Sequence, residues 1–485
     1  MQEKTKKLQK MKYSKSIWRF LPAYLFLAYS ISIAAQNVWA DMAFQVLRGF
    51  TTSSNTAPLH PDSALVDAGN GSFYGMTSFG GSNNNGTVFN ITSAGVLTPI
   101  FRFNGFNGSG PLAVTLGNNG DLYGITPSGG PSFLGTLFEV TTNGVFKAFK
   151  TNGNFTAFFF FGGTNGSNPG GKLILGNDGN FYGTTRSGGS SSGNGTIYTT
   201  TTNGVFTVLW QFNGTNGSQP YAGLTLGNDG NFYGTTAYGG SNYSGVNTGN
   251  GTVFQVTTNG VLITLAFFDG TNGSTPMAGL ALGSDKNFYG TTRLGGTFNL
   301  GTVFQIMTNG NLTTLLSFDG TNGSNPFGGL VQSVDGNFYG TTAFSIANGT
   351  NYGTVFRITT NGALTTLAYL NGTNGLHPFA DMILGHDGNL YGAMDDVNAH
   401  TLLDGSCGNI FRLVQQPIAA IASQNGETVL SWTSFTNEVY RVEYKFLLND
   451  TIWIPLITNT ATGNATAFTN SFPNPPQGFY RIVLP

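Results

Sequence analysis

The sequence predicts an all-β fold, a seven-bladed β-propeller followed by a small β-sandwich. The first observation is a stretch, clearest as GLTLGNDGNFYGTTAYGG at 223–240, that returns roughly every 50 residues. The second is that each copy divides into four short apolar segments separated by tight-turn residues, as propeller blades do. The third is that the two chain ends supply complementary parts of one unit. The tyrosines that mark the seven copies are Tyr74, Tyr123, Tyr182, Tyr233, Tyr289, Tyr339 and Tyr391.

The unit at 222–268 shows how a blade is built. Its four predicted strands are AGLTLG, NFYGTT, GTVFQVT and VLITLAFF. Asp229-Gly230 and Asn259-Gly260 suit two-residue hairpins, because type I′ turns need positive φ at both central positions. Phe232 and Tyr233 point to opposite faces of the sheet, so both faces are expected to be buried between stacked blades. We expect Gly234 to let the neighbouring blade approach closely.

The chain ends predict how the ring closes. FQVLRGF at 44–50 matches a fourth strand such as LTTLLSF at 312–318, and the last unit stops after GNIFRLV at 408–414. The N-terminal segment is therefore expected to form the outer strand of the last blade, which removes two exposed sheet edges. The second unit holds two candidate fourth strands within 147–161, and we favour 155–161.

Residues 1–40 have the layout of a secretory signal peptide. Lysines between Lys4 and Lys15 precede an apolar run at 20–35, and Val38-Trp39-Ala40 offers a cleavage site before Asp41. The run is shorter than the ~20 residues of a membrane-spanning helix. Cleavage is therefore favoured over a retained anchor, and the mature protein is expected to be secreted or at the cell surface, with no membrane span.

The propeller is expected to occupy 41–415, because the repeat ends near Gln415. Residues 416–485 are predicted to form five short strands with Trp432 and Trp453 in their core. This pattern is typical of a cut-down β-sandwich of the fibronectin type III kind. The five strand segments are NGETVLSWT, EVYRVEYK, TIWIPLI, ATAFTNS and GFYRIVLP.

Charge and cysteine content exclude some classes of protein. Loss of residues 1–40 removes seven of the 20 basic and one of the 21 acidic residues, leaving 13 and 20 and a net charge of −7. Nucleic-acid binding, which needs clustered Lys and Arg, is not expected. Cys407 is the single cysteine, so no internal disulfide can form. We expect a monomer without a cofactor or a metal.

The repeat unit resembles a known family. Its motif reads G-x-D-G-N-[FL]-Y-G-T-T-x-x-G-G, followed by G-T-[VIL]-[FY], T-N-G and F-x-G-T-N-G-S-x-P. This resembles the Gloeo/Verruco (GloVer) tandem-repeat family of bacterial exported proteins over residues 44–414. The last unit, with NLYGAMDD, departs most from the motif. The resemblance implies an exported repeat protein and lends no activity.

The repeated acidic residues are interpreted as structural. They occupy the first tight turn of their units, where aspartate is favoured because it hydrogen-bonds to the local backbone. The spacing is similar to that of sialidase Asp-boxes, which are fold elements and do not indicate hydrolysis. The five residues are Asp178, Asp229, Asp285, Asp335 and Asp387.

A ligand site is expected on the face that carries the GTNGS loops and the long loops between second and third strands, because binding residues concentrate on loops held by a rigid scaffold. The histidines lie in or beside the closing blade, with His386 in a hairpin on the opposite face. A metal or catalytic cluster is one interpretation, and drift of the last blade away from the repeat is the alternative. The residues of this group are His60, His377, His400, Asp395, Asp396, Asp404 and Cys407.

Arg186 and Arg293, each in a TTRxGG segment, are the other candidates. With Tyr238 and Tyr243 they could present bidentate and aromatic groups to a sugar or a peptide. Surface charge and loop packing is the alternative interpretation. The predicted ligand-binding residues are thus Arg186, Arg293, Tyr238, Tyr243, His377, Asp395, Asp396 and His400, with no catalytic residue assigned.

Three functions follow from these observations. The leading hypothesis is an exported, non-enzymatic scaffold that binds a carbohydrate or a protein. The second is a glycan-active hydrolase or lyase, which requires a carboxylate pair in the axial funnel of the propeller. The third is a purely structural surface protein.

Overall fold

The structure is a computed structural model. It describes residues 42–51, 57–147, 149–151, 154–156, 159–189, 193–347, 352–372, 374–395 and 406–414, and further on 419–424, 427–433, 439–445, 454–460, 465–470 and 479–483. The predicted signal peptide lies outside these residues. Within them the regular elements are all β-strands, and the predicted seven-bladed propeller is confirmed.

Each blade is an antiparallel sheet whose strands follow one another from the channel outward. Inner strands of successive blades contact one another and surround the central channel. From the inner to the outer strand, blade 1 comprises Val66–Asp67, Ser72–Thr77, Thr87–Thr92 and Leu97–Arg102; blade 2, Ala113–Leu116, Leu122–Thr126, Thr136–Val140 and a divided outer strand; blade 3, Ser167–Leu175, Phe181–Ser187, Thr196–Thr200 and Phe206–Gln211; blade 4, Thr225–Leu226, Phe232–Thr236, Thr252–Val256 and Leu262–Phe267. Blade 5 comprises Ala281–Leu282, Phe288–Thr292, Thr302–Ile306 and Leu312–Ser317; blade 6, Val331–Gln332, Phe338–Thr342, Thr354–Ile358 and Leu364–Tyr369; blade 7, Ile383–Leu384, Leu390–Met394, Ser406–Val414 and Ala43–Thr51.

The N-terminal strand closes the ring as the sequence predicts. Ala43–Thr51 pairs antiparallel with Ser406–Val414 and becomes the outer strand of blade 7. Phe44 stacks on Phe411 with ring centroids 5.2 Å apart, which adds side-chain contact to the ladder. A short extra pair, Pro58–Leu59 with Phe79–Gly80, follows at the start of blade 1.

Aromatic stacking joins one blade to the next. Tyr233 of blade 4 stacks on Phe288 of blade 5 at 4.1 Å, and both are buried. The same contact closes the ring, where Tyr391 of blade 7 stacks on Phe73 of blade 1 at 4.2 Å. Both faces of the blade 4 strand Phe232–Thr236 are therefore buried, because Phe232 packs on blade 3 and Tyr233 on blade 5. Equivalent stacks join Tyr123 to Phe181, Tyr182 to Phe232 and Tyr289 to Phe338.

The expectation for Gly234 is wrong, and a different glycine has that role. A Cβ at Gly234 would lie 2.6 Å from Cζ of Phe254, the residue opposite it in the same blade. The glycine thus makes room for an aromatic ring of its own blade. A Cβ at Gly251, in the Gly-Thr element of the third strand, would lie 2.8 Å from Cδ of Pro276 in the next blade. Close approach between blades is therefore achieved at Gly251.

The paired threonines of the motif tie strands and blades together. Oγ1 of Thr236 lies 2.8 Å from Oγ1 of Thr252, so the second threonine of Thr-Thr binds the threonine of Gly-Thr in the third strand. The hydroxyl of Thr235 donates to the Ala278 carbonyl of the next blade at 3.0 Å. Buried hydroxyls thus find partners on both sides.

The outer strand of blade 2 corrects the sequence prediction, which chose 155–161 over the earlier segment. Both segments pair with the third strand Thr136–Val140: Phe146–Lys147 at one end and Phe159–Phe160 at the other. A hairpin of Phe149–Thr151 and Asn154–Thr156 is inserted between them. The inserted hairpin therefore divides the outer strand into two segments. Each segment pairs with a different part of Thr136–Val140.

The described residues beyond the propeller form six strands where the sequence predicts five. Two three-stranded antiparallel sheets are present, one of Ala419–Gln424, Glu427–Thr433 and Ala465–Asn470, the other of Ile454–Thr460, Val439–Lys445 and Phe479–Val483. The additional strand, AAIASQ, was missed because alanine is a poor strand former. Trp432 is buried with Tyr440 in a cluster that draws on both sheets, and Trp453 lies outside the described residues. A fibronectin type III relationship stays a prediction.

Ring closure can be tested at Phe50, which is 4% exposed and lies 5.7 Å from the ring of Phe89 in blade 1. Phe50→Ala is expected to lower the free energy of unfolding by roughly 3–5 kcal/mol, measured by urea denaturation. Val46→Ala, on the same strand but 44% exposed, should change it by less than about 0.5 kcal/mol. Equal effects of the two changes would contradict ring closure by this strand.

The blade stack can be tested at Tyr233, which is 1% exposed. Tyr233→Ala removes both the ring and the hydroxyl and should cost roughly 3–5 kcal/mol of unfolding free energy. Tyr233→Phe removes the hydroxyl alone and should cost about 1 kcal/mol. Tyr369→Ala, at a tyrosine 41% exposed on an outer strand, is the control and should have little effect. A Tyr233→Phe variant as unstable as Tyr233→Ala would show that the stack contributes little.

Candidate functional site at the rim of the central channel

The repeated aspartates are occupied by structural hydrogen bonds, as the sequence indicates. Asp229 Oδ2 accepts a hydrogen bond from the Tyr233 hydroxyl at 2.8 Å and from Nδ2 of Asn231 at 2.8 Å. Burial alone would raise the pKa of Asp229, but these hydrogen bonds outweigh it and hold the pKa below its usual value. The same tyrosine contact recurs at Asp178, Asp285, Asp335 and Asp387.

The opposite end of the channel is different in every blade. Two positions recur in every blade at this end: the residue after the proline at or before the start of the inner strand, and the residue after the second strand's Thr-Thr position. We call these residues the rim. After the proline they are Asp62, Leu112, Gly170, Tyr221, Met277, Phe327 and Phe379; after Thr-Thr they are Ser78, Pro127, Arg186, Ala237, Arg293, Ala343 and Asp395.

The residue before each of these prolines is held in a left-handed conformation, which is uncommon for a residue with a side chain. Where this residue is asparagine, its side chain reaches the preceding blade: Nδ2 of Asn325 donates to the Arg293 carbonyl at 3.2 Å, and Nδ2 of Asn168 to the Pro127 carbonyl at 3.1 Å. His60 and His377 occupy this same position. The φ values are 59° at His60, 61° at Gly110, 51° at Asn168, 54° at Gln219, 57° at Thr275, 51° at Asn325 and 35° at His377.

Arg186 and Arg293 each cross a blade junction and lie on an aromatic ring of the next blade. Cζ of Arg186 is 4.5 Å from the ring centroid of Tyr221, and Cζ of Arg293 is 4.7 Å from that of Phe327. Nε of each arginine is buried without a hydrogen-bond partner in the described structure. Burial lowers the pKa of Arg186, although the guanidinium remains charged because the ordinary pKa is above 12.

The junction of blades 7 and 1 holds the acidic part of the rim. Nδ1 of His60 lies 2.6 Å from Oδ1 of Asp395, and both side chains are about nine-tenths buried. Asp62 was missed by the sequence analysis, although its alignment with apolar or glycine residues in the other six blades was a visible signal. Burial, and then the charge of Asp395, raises the pKa of Asp62 to about 7, while the Ser78 hydroxyl and His60 act in the opposite direction.

The predicted histidine cluster forms only in part. His60 and Asp395 are in contact, whereas the ring of His377 packs against Phe344 at 5.0 Å. Cys407 is buried, and its carbonyl accepts a hydrogen bond from the His60 backbone. Asp396, His400 and Asp404 lie outside the described residues. Among the residues that are described, no group of three or more His, Cys, Asp or Glu is arranged to hold a metal ion.

Both predicted tyrosines lie in the loop between the second and third strands of blade 4, Phe232–Thr236 and Thr252–Val256. The Tyr243 hydroxyl donates to Oδ1 of the buried Asn194 at 3.2 Å, and its ring lies against Gly214. This geometry fits loop packing, the alternative interpretation. Tyr238 pairs through its backbone with Ser218, and its side chain is half-buried.

Fold and rim together define a ring-closed repeat propeller with an asymmetric channel entrance. The chain belongs to the Gloeobacter/Verrucomicrobia repeat family, whose model matches residues 36–150, 143–247 and 242–438. No curated protein matches the chain. Among the described residues, none forms a helix with the length and apolar character that crossing a membrane requires.

Several solved structures are similar to this chain at low sequence identity. The extracellular domain of a hybrid two-component system from B. thetaiotaomicron is 11% identical with a TM-score of 0.47, over 91% of this chain and 55% of that one. PorZ, a surface component of the type-IX secretion system of Porphyromonas gingivalis, is 13% identical with a TM-score of 0.44, over 85% and 55%. A gluconolactonase from Xanthomonas campestris is 10% identical with a TM-score of 0.39, over 79% and 92%. This chain thus spans little more than half the length of the first two.

The carboxylate of Asp62, whose Oδ1 is buried, predicts an unusual dependence of stability on pH. Its folded-state pKa of about 7 lies above the ordinary 3.8, so its contribution to stability is fully present below about pH 4 and is lost as the pH rises through about 7. Asp62→Asn should therefore be more stable than the wild type at pH 8, by on the order of a few kcal/mol, and nearly equal to it at pH 4.

Thermal and urea denaturation at both pH values measure this difference. The control is Asp319→Asn, because hydrogen bonds from Thr321 and the Asn322 backbone outweigh burial and lower the pKa of the exposed Asp319. The Asp319→Asn variant should be no more stable than the wild type at pH 8. Equal stability of Asp62→Asn and the wild type at pH 8 would show that Asp62 is not a strained carboxylate.

Proposed function

We propose that this chain is an exported, non-enzymatic propeller that binds a polysaccharide at the rim of the central channel. The observation that carries the proposal is that the blades are alike at one end of the channel and differ at the other, the rim. At the hairpin end, Asp, Asn and Tyr recur and are occupied by structural bonds. At the rim, side chains of different size and charge stand at equivalent positions, which is how a symmetric scaffold presents a specific surface.

The rim offers the groups that sugar binding uses. Half-buried rings of Tyr221, Phe327 and Phe379 supply apolar faces, with Phe327 and Phe379 in contact at 4.9 Å. Arg186 and Arg293 supply planar hydrogen-bond donors beside them. Export is supported by the predicted signal peptide and by the family resemblance. Residues 416–485 serve in this proposal as an appended module of the fibronectin type III kind.

A glycan-active hydrolase or lyase is the second candidate. It requires a carboxylate pair, and Asp62 and Asp395 lie close enough for their charges to interact. His60, bonded to Asp395, adds a third group capable of proton transfer. Oδ1 of Asp62 is buried, so a ligand in the channel does not reach it, and the binding hypothesis is favoured over catalysis by this pair.

The test is to measure binding and turnover together for the purified full-length protein against a panel of polysaccharides. Met277→Trp narrows the rim between the Arg186 and Arg293 junctions and should abolish binding. Val261→Trp, at an exposed hairpin position, is the matched control and should leave binding unchanged. Release of reducing ends or unsaturated products would establish the hydrolase or lyase instead. Absence of both binding and turnover would leave a purely structural protein.

A further inference from the structure

The two rim arginines form a repeated arrangement rather than two isolated residues. Arg186 and Arg293 occupy the same position in blades 3 and 5, where the other blades have Ser, Pro, Ala, Ala and Asp. In both cases the ring beneath the guanidinium comes from the residue after the proline of the next blade, Tyr221 or Phe327. The same pair of positions thus holds two guanidinium groups, two blades apart.

Each guanidinium is positioned and left without a counter-charge. An aromatic face within about 6 Å attracts the cation and fixes its plane, so less side-chain freedom is lost when a ligand binds. The ion pairs seen in the described structure, His60 with Asp395 and Arg441 with Glu443, include neither arginine. The buried Nε of each has no hydrogen-bond partner in the described structure, and a buried unsatisfied donor is unfavourable.

A guanidinium charge that is partly buried without an acidic partner is less stable than one paired with an anion. A partly buried cation is stabilised when an opposite charge is brought into the same low-dielectric surroundings. Guanidinium groups bind carboxylate and sulfate-like oxyanions through two parallel N–H···O bonds, with geometry that an ammonium group cannot reproduce. The acidic residues Asp62 and Asp395 lie at a different junction, so the anion-binding part of the rim spans blades 3 to 6.

We propose that the Arg186–Tyr221 and Arg293–Phe327 pairs form a two-point site for an acidic polysaccharide, one that carries carboxylate or sulfate groups along its length. This inference rests on the proposed function and specifies its ligand class. The two guanidinium groups bind charged substituents on separate sugar units, and Phe379 beside Phe327 packs against an uncharged sugar face. A polysaccharide is favoured over an acidic peptide because aromatic rings lie beside both cations. An aromatic ring can pack against the apolar face of a sugar while the guanidinium binds a charged substituent.

The experiment measures binding by titration calorimetry of the full-length protein with three probes: polygalacturonate, dextran sulfate and neutral dextran. The wild type should bind at least one acidic polymer about tenfold or more tightly than dextran, and higher salt should weaken that preference. Polygalacturonate and dextran sulfate separate carboxylate from sulfate recognition. An acidic peptide of equal charge density serves as a fourth probe, and its tighter binding would overturn the assignment to a polysaccharide.

Arg186→Gln and Arg293→Gln should each weaken binding of the acidic polymer by about tenfold, and the double variant should abolish the preference over dextran. Arg186→Lys keeps the charge but loses the paired hydrogen bonds, so it should bind more weakly than the wild type. Arg102→Gln removes the same charge from an exposed outer strand and is the matched control. If it weakened binding as much as Arg186→Gln, only net charge would matter and the site would be refuted.

Stability provides a second readout. Removing an unneutralised, partly buried charge should not lower the Tm, so both glutamine variants should melt at or above the wild-type temperature. A fall in Tm would assign the arginines to packing instead. If neutral dextran bound as well as the acidic polymers, and Met277→Trp blocked both, this inference would fail and the proposed function would stand. If none of the polymers bound, the proposed function would fail as well.

Discussion

The contact between the tyrosine of one blade and the aromatic or aliphatic residue of the next is the interaction on which the rest of the structure depends. It buries both faces of every second strand, as in the stack of Tyr233 on Phe288. The tyrosine hydroxyl is then satisfied by the turn aspartate four residues earlier, so that the hairpin and the stack fix each other. Burial and hydrogen bonding of one side chain thus link the hairpin of a blade to its contact with the next blade.

Much of this fold could be predicted because each local pattern has one physical meaning. Alternation at Phe232 and Tyr233 indicated two buried faces, and Asn-Gly and Asp-Gly indicated tight hairpins. The sequence did not reveal that Phe254 lies over Gly234, because cross-strand partners depend on register. It did not show that both candidate segments of blade 2 pair with one strand, because an inserted hairpin leaves each half locally plausible.

The candidate site was predictable in its charged members and not in their partners. Arg186, Arg293 and Asp395 depart from the repeat and were visible as departures. Tyr221 and Phe327 were not, because a ring beneath a guanidinium comes from a different blade some 35 residues on in each case. The sequence prediction placed His60 and His377 in one group because both are histidines near the closing blade. In the structure they make separate contacts, His60 with Asp395 and His377 with Phe344. Shared residue type is thus weaker evidence for a site than shared position within a repeat.

The strand that closes the ring also sets the order in which the molecule can be completed. Ala43–Thr51 is synthesised before all seven inner strands, yet its partner, Ser406–Val414, is the last strand of the propeller to be made. The two strands are separated by most of the chain, but the entropic cost of closing a loop grows only with the logarithm of its length. The large separation therefore lowers the stability of the finished propeller only slightly. Until then the early strand has an open edge that other chains could pair with. Two register shifts, at Val46/Arg48 and Gly49/Thr51, make the completed ladder irregular, so the outer strand of blade 7 is a poorer template for pairing with another chain.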